Sequence, residues 1–224
     1  MLKKLGWAIL TFLAIETGLG ALRYALPNVP FPAPIPNFSE RHHWVIAHAL
    51  CSSLAVLIGP WQFLAGLRRR SIRVHRWMGR VYCAAVVAGW LASLPIAAHA
   101  QTGAVASAGF LTLGFFWIGT TLAGYFTIRR GRVREHREWM IRSYALTAAA
   151  ITLRIYLPLL TFALGIPFVT AYRVVAWACW APNLLFAEWV VRRGRRGLGG
   201  LDESVWFRST QNSFPRRDTG HVTR

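Results

Sequence analysis

Long runs of apolar residues alternate with short basic stretches along almost the whole chain. An apolar run of about 20 residues is long enough to cross the hydrocarbon core of a bilayer as a helix. The pattern predicts six spans, over residues 5–26, 44–67, 81–98, 104–128, 143–164 and 172–191. We therefore expect an all-α fold, a polytopic membrane protein with six transmembrane helices.

A basic and aromatic motif occurs twice, each time between two of the apolar runs. The first copy contains Arg73, His75, Arg76, Trp77, Met78, Arg80 and Tyr82, and the second contains Arg134, His136, Arg137, Trp139, Met140, Arg142 and Tyr144. The second copy has one extra residue, Glu138. The two copies are far enough apart to enclose two spans with their loops. The repetition predicts an internal duplication of a helix-loop-helix unit, formed by spans two and three and again by spans four and five.

The composition supports a membrane location and argues against binding to nucleic acid. Hydrophobic residues make up 54% of the chain and charged residues 15%, which is too apolar for an ordinary soluble domain. A formal net charge of +18 would suit a nucleic-acid-binding protein, but here the basic residues lie between apolar runs. We expect these residues to fix the orientation in the membrane.

The positions of the basic residues predict that orientation. Of the 26 Lys and Arg residues, all but Arg23, Arg41, Arg154 and Arg173 lie before the first span, in the two motif-bearing stretches or after the last span. The positive-inside rule then predicts cytoplasmic N- and C-termini in a bacterial inner (cytoplasmic) membrane. The basic stretches would lie against anionic lipid headgroups.

Two further segments differ in composition from the spans. Residues 27–36 are rich in proline, which predicts a stiff external loop because proline cannot continue a helix. Residues 1–196 are expected to form the transmembrane domain. Residues 197–224 lack apolar periodicity and predict a basic, polar, disordered cytoplasmic tail.

The duplicated histidines form the first candidate site. His75 and His136 would lie at the same depth, where two facing imidazoles could ligate a haem b iron while Arg80 and Arg142 bind its propionates. A second centre could use His48 and His99 near the opposite face. This set predicts a redox membrane protein that exchanges electrons with a quinone.

Ionisable residues inside the spans form a second candidate site. A charged or acidic side chain in the hydrocarbon core is costly unless it is paired or neutral. Glu16, His48, Arg154 and Tyr156 could share such a polar site in the membrane. This set predicts a proton-coupled carrier for a small solute.

Both sets of residues also have a structural interpretation. Trp, Tyr, Arg and His at the ends of spans anchor helices at the membrane interface, and Glu16 could be a neutral acid facing a neighbouring helix. The histidines do not have the spacing of a zinc motif. A third class of function, a non-catalytic assembly or lipid-interacting membrane protein, therefore stands beside the redox and carrier hypotheses.

The two motifs also carry a family resemblance. Residues 75–82 and 136–144, together with Arg154, Ile155 and Tyr156, resemble the predicted bacterial membrane protein family called domain of unknown function 2306. The resemblance covers approximately the second to the fifth span. It implies a polytopic helical membrane protein and brings no settled activity with it.

Overall fold

The computed structural model describes residues 2–26 and 38–198, and its regular structure in these ranges is helical. Six helical segments are long and apolar enough to cross a membrane: Leu5–Ala25, Glu40–Gln62, Ile72–Ala98, Ala104–Arg129, Val133–Ala163 and Phe168–Arg196. The predicted all-α architecture with six transmembrane helices is confirmed.

The helices follow one another with short connections. They are α1 (Leu2–Leu22, continued by a 3-10 turn over Arg23–Ala25), α2 (Phe38–Gln62), α3 (Ala65–Arg70), α4 (Ile72–Ala98), α5 (Ala104–Arg129), α6 (Val133–Thr147), α7 (Ala149–Pro158, continued by a π-helix over Leu159–Ala163), α8 (Phe168–Ala178) and α9 (Ala181–Leu198). Pro60 lies in the last turn of α2 and lacks the N–H that would bond the carbonyl of Val56, one turn earlier.

Both motifs are helical, so the third and fifth spans begin earlier than predicted. The helix α4 begins at Ile72 rather than at residue 81, and α6 begins at Val133 rather than at residue 143. The Oγ of Ser71 caps α4 by accepting a hydrogen bond from the backbone N–H of Val74 at 3.4 Å. Arginine is a good helix former with a long apolar stem, so a limit based on hydrophobicity alone falls too late.

The second and fifth spans also differ from the prediction in their continuity. The second span ends at Gln62, and residues 65–70 form the separate helix α3. The fifth span is divided at Ala148 and changes to a π-helix after Pro158. The predicted proline-rich loop and all but two residues of the predicted tail lie outside the described residues.

The chain divides into two compact units, Met1–Ala187 and Glu188–Arg224. In the described part of the second unit, the last turns of α9, the Nε of Arg192 donates a hydrogen bond to Glu188 at 2.9 Å. The guanidinium of Arg193 lies over the ring of Trp189. The candidate sites lie in the first unit.

Consecutive spans of the first unit run in opposite directions. The Nε1 of Trp7, near the start of α1, donates to the backbone carbonyl of Pro60, near the end of α2, at 3.2 Å. The Nε of Arg173, near the start of α8, donates to the carbonyl of Thr102, just before α5, at 2.7 Å, so α5 and α8, in the fourth and sixth spans, begin at the same end, as alternation requires. We call the end of the bundle that carries residues 68–80 and 129–142 the basic end, and the other the opposite end.

Small residues allow the helices to pack closely, as expected for a membrane bundle. A side chain at Gly109 would meet the backbone of Ala176 on α8, and one at Gly124 would meet the sulfur of Met140 on α6. The helix α5 therefore lies against α8 on one side and α6 on another.

A network of buried hydrogen bonds joins α4, α5 and α6 near the middle of the bundle. The hydroxyl of Tyr82 lies 2.8 Å from that of Ser143 and 2.7 Å from that of Thr147. The Nε1 of Trp117 donates to the Thr147 hydroxyl at 2.7 Å. Since Tyr82 belongs to the first motif and Ser143 lies within the second, the two motifs are neighbours in the fold. Their common origin by duplication stays a prediction.

Candidate functional site

A partly open cavity of about 290 Å³ lies within the first unit, lined by residues of α1, α2, α4, α5, α6, α7 and α8. Its wall is mostly apolar, with a small number of polar side chains. Its polar side chains include those of His48, Ser52, Ser53, Ser93, Thr147 and Arg154. An apolar cavity with a few polar groups is the usual form of a small-molecule site.

The cavity extends from the opposite end to about the middle of the bundle. Tyr24 and Tyr172 line it near the opposite end, while His48, Trp117 and Thr147 line it more deeply. His48 lies ten residues into α2, or about 15 Å along the helix axis. The buried network around Tyr82 begins directly below, because Trp117 and Thr147 belong to both.

His48 is held in place where three helices converge. Its Nδ1 lies 2.8 Å from the backbone carbonyl of Gly89 on α4, and its ring meets that of Trp117 edge to face with centroids 6.5 Å apart. A Cβ at Gly89 would lie within 3.4 Å of Ser52, Trp117 and Cys51. A carbonyl only accepts hydrogen bonds, so Nδ1 carries the proton and Nε2 of the neutral ring is an acceptor.

Arg154 brings a permanent positive charge to the same cavity. Its Nη1 donates to the carbonyl of Ala150 at 3.0 Å, one turn earlier in the same span. Within residues 2–26 and 38–198, no carboxylate forms an ion pair with it. A guanidinium has five N–H donors, so Arg154 retains donors for another acceptor.

Ser53 is a further polar group without a protein partner. The residue is 4% exposed and lines the cavity, and its buried Oγ has no hydrogen-bond partner among the described residues. Buried hydroxyl groups are nearly always satisfied in folded proteins. A ligand or water in the cavity would satisfy this one.

The structure brings together only part of the predicted intramembrane site. His48 and Arg154 line the cavity, but Glu16 and Tyr156 do not. Glu16 is exposed on α1, while its neighbour Thr17 is buried and lines the cavity. Tyr156 packs beside the hydrophobic core.

The predicted second pair, His48 and His99, is likewise not brought together in one site. His99 is exposed, and its Nδ1 lies 3.1 Å from the carbonyl of Pro95 in its own helix. It does not line the cavity that contains His48.

His75 and His136 lie near each other at the basic end. They are close enough to interact electrostatically, and both side chains are half-buried. The Nδ1 of His136 lies 2.8 Å from the carbonyl of Gly124, whereas the buried Nδ1 of His75 has no partner among the described residues. Of the two arginines predicted to bind the haem propionates, Arg80 is exposed. The guanidinium carbon of Arg142 lies over the ring of Trp139, 4.9 Å from the ring centroid.

No group of three or more His, Cys, Asp or Glu residues that could hold a metal ion occurs in the described part of the chain. A haem iron needs fewer protein ligands than such a group supplies. This result therefore does not bear on haem binding by the pair of His75 and His136.

Several residues of the cavity were missed by sequence reasoning. Ser52, Ser53, Ser93 and Thr147 are small polar residues inside apolar runs, where they normally serve helix packing. Trp117 gave a clearer signal, since it lies in the middle of a span although tryptophan favours the membrane interface.

Most of the helical bundle matches a known protein family. The model of a family described as "Predicted membrane protein (DUF2306)" matches residues 45–191, well over half of the chain. The chain belongs to this family. Neither the curated proteins nor the solved structures contain a match to it. The DUF2306 region includes both motifs, His48 and Arg154, whereas Thr17 and Tyr24 of α1 lie outside it.

Proposed function

We propose that this DUF2306 protein binds the head group of a lipophilic quinone in the cavity and acts in quinone-linked redox chemistry. The observation that carries the proposal is that His48 and Arg154 line one mostly apolar cavity. A quinone has an apolar ring and two carbonyl oxygens, which accept hydrogen bonds. Arg154 supplies donors for a quinone carbonyl, and the Nε2 of His48 supplies an acceptor for a quinol hydroxyl.

The size of the cavity favours a single-ring head group. Ligand cavities usually measure about 300–1,000 Å³, and this one, at about 290 Å³, is at the lower limit of that range. The head group would occupy the cavity while the isoprenoid tail remains in the surrounding lipid. The unpartnered hydroxyl of Ser53 offers one more polar contact.

Binding of a short-chain quinone to the purified protein tests the proposal. Quinones quench tryptophan fluorescence, and Trp117 lines the cavity. We expect saturable quenching, with an affinity that falls about tenfold in His48→Ala and in Arg154→Ala, since each substitution removes a hydrogen-bonding partner in an apolar site.

Two substitutions outside the cavity serve as matched controls. His99→Ala removes an exposed imidazole, and Arg41→Ala removes an arginine that is paired with Glu40 at 2.7 Å. Both should bind the quinone within about twofold of the wild type, a change too small to reflect a lost hydrogen bond. Equal affinity in all four variants would contradict the proposal.

The carrier hypothesis concerns the same cavity with a different ligand. A carboxylate or another anionic solute would pair with Arg154, which lacks a carboxylate partner among the described residues. If an anionic solute binds in competition with quinone, and Arg154→Ala abolishes its uptake into vesicles, the carrier function replaces the quinone function. Without such uptake the carrier function fails.

A second candidate function, haem b binding by His75 and His136, is favoured by one specific observation. The Nδ1 of His136 is held by the carbonyl of Gly124, an arrangement that orients Nε2 toward a metal in many metalloproteins. The orphaned Nδ1 of His75 is compatible with a neighbouring group that the protein itself does not supply. Haem would supply one-electron transfer.

An absorbance spectrum with and without dithionite tests the haem proposal. We expect a Soret band in the purified protein that is lost in the double variant His75→Ala with His136→Ala and kept in His99→Ala. A protein expressed with adequate haem that shows no Soret band would exclude this candidate.

We also propose that the basic end faces the cytoplasm in an inner membrane. The proposal is supported by the twelve arginines of residues 68–80 and 129–142 at that end.

A further inference from the structure

The two basic segments at the basic end differ in how their charge is balanced. The first basic segment (residues 68–80) and the second basic segment (residues 129–142) each contain six arginines. The second segment also contains Glu135 and Glu138, and the first contains no acidic residue. Glu135 and Glu138 lie within the second copy of the motif, and the first copy has no acidic residue in their place.

In the second basic segment, carboxylates of the protein lie close to two of the arginines. Arg132 lies 3.4 Å from Glu135, and Arg134 lies 3.9 Å from Glu138. The ring of Trp139 is covered by Arg142, and the Nδ1 of His136 is bonded to the carbonyl of Gly124. Three of the six arginines in this segment, Arg132, Arg134 and Arg142, and its histidine therefore have partners within the protein.

In the first basic segment, the equivalent partners are missing from the described part of the chain. No carboxylate in residues 2–26 or 38–198 pairs with its arginines. The buried Nδ1 of His75, the counterpart of His136, has no partner there, and neither does the buried Nε2 of Gln62 nearby at the end of α2. Arg68 lies in the last turn of α3, and Arg76 follows His75 directly in the first turns of α4; both arginines are exposed.

We propose that the first basic segment binds the phosphate of an anionic membrane lipid, held by Arg68, Arg76 and the imidazole of His75. The phosphate supplies the negative charge that Glu135 and Glu138 supply in the second segment. Its oxygens accept hydrogen bonds from guanidinium groups, which suit phosphate geometry.

The apolar side chains around these arginines favour a lipid over a soluble anion. Trp77 is 66% exposed, and Ile72 and Val74 in the first turn of α4 are also exposed. Basic and apolar side chains that are exposed together at the end of a membrane span are typical of contact with headgroups and the first part of the acyl chains. A soluble phosphate would use only the arginines.

The phosphate site is separate from the cavity proposed for the quinone, because Arg68, Arg76 and His75 do not line that cavity. It competes with haem for His75. A Soret band that disappears in His75→Ala would assign His75 to haem and overturn its part in the phosphate site, so the two proposals are distinguishable.

Native mass spectrometry of the full-length protein in detergent tests the proposal by titration with phosphatidylglycerol and with phosphatidylcholine. We expect phosphatidylglycerol to bind more tightly. The double variant Arg68→Gln with Arg76→Gln should weaken that binding by about thirtyfold, since each arginine near a lipid surface contributes on the order of 1 kcal/mol.

The matched control is Arg132→Gln with Arg134→Gln, which removes the same charge from the second basic segment. It should change the affinity by less than about threefold, because these arginines already have carboxylate partners. All four arginines are exposed, so both variants should fold, and the single variant Arg68→Gln provides a milder version.

Three results would overturn the proposal. One is an equal loss of phosphatidylglycerol binding in the two double variants, which would indicate general charge attraction. Another is equal affinity of the wild type for the two lipids. The third is displacement of phosphatidylglycerol by millimolar inorganic phosphate, which would make a soluble anion the ligand.

Discussion

The hydroxyl of Tyr144 on α6 donates a hydrogen bond to the backbone carbonyl of Val56 on α2, at 3.3 Å. Pro60 lies four residues after Val56 and has no N–H, so the helix itself cannot satisfy this carbonyl. Gly59 leaves the space in which the Tyr144 ring packs. In a membrane a carbonyl freed by proline needs another partner, and a side chain of a neighbouring helix is one of the groups that can supply it. The second motif thus supplies the group that α2 lacks.

Replacement of Gly59 by alanine should destabilise the protein by about 1–3 kcal/mol, because the new methyl group would overlap the Tyr144 ring in a packed interior. Thermal unfolding in detergent, followed by circular dichroism, measures the effect. Gly119→Ala on α5 is the control, since nothing lies within 4 Å of the added methyl group. Similar unfolding temperatures for the two variants would show that the Tyr144 ring is not packed against Gly59.

Replacement of Thr147 by valine should also lower the free energy of unfolding by about 1–3 kcal/mol, because the buried Nε1 of Trp117 loses its acceptor. Valine keeps the shape of threonine, so the change tests the hydrogen bond rather than packing. Thr120→Val should have a much smaller effect, because the hydroxyl of Thr120 bonds only to carbonyls of its own helix. A stable Thr147→Val protein would remove the buried network as a source of stability.

A phenylalanine in place of Ala97 should abolish quinone binding without changing His48 or Arg154. Ala97 is buried and lines the cavity, so the larger ring would occupy the space proposed for the head group. The neighbouring substitution Ala98→Phe is the control, because Ala98 is exposed and does not line the cavity. The quenching titration gives the readout, and normal binding by Ala97→Phe would place the quinone elsewhere.

Cysteines introduced at the two ends of the bundle should respond differently to a membrane-impermeant maleimide. Gln101 is exposed at the opposite end and Arg130 at the basic end. We expect Gln101→Cys to be labelled on intact cells and Arg130→Cys only after permeabilisation, because the basic end should face the cytoplasm. The wild type, whose Cys51, Cys83 and Cys179 lie within the spans, gives the background. The reverse labelling pattern would contradict the proposed orientation.

The amino-acid sequence by itself determined the six spans and the common location of the basic segments. Hydrophobicity and charge are properties of short stretches, and the membrane requires each apolar stretch to form a helix whatever its neighbours are. The predicted starts of the third and fifth spans, residues 81 and 143, are too late for the same reason. A limit based on hydrophobicity excludes helical arginines, whereas the helices begin at Ile72 and Val133.

Only the tertiary structure decided which polar residues share a site. Successive residues of a helix point about 100° apart, so Thr17 lines the cavity while Glu16, its neighbour, is exposed. His48, which is partly buried, and Arg154, which is exposed, line the same cavity because α2 and α7 both border it, whereas His99 does not line it. Helix rotation is set by packing between distant parts of the chain, such as the ring of Tyr144 against Gly59. Local sequence patterns do not contain that information.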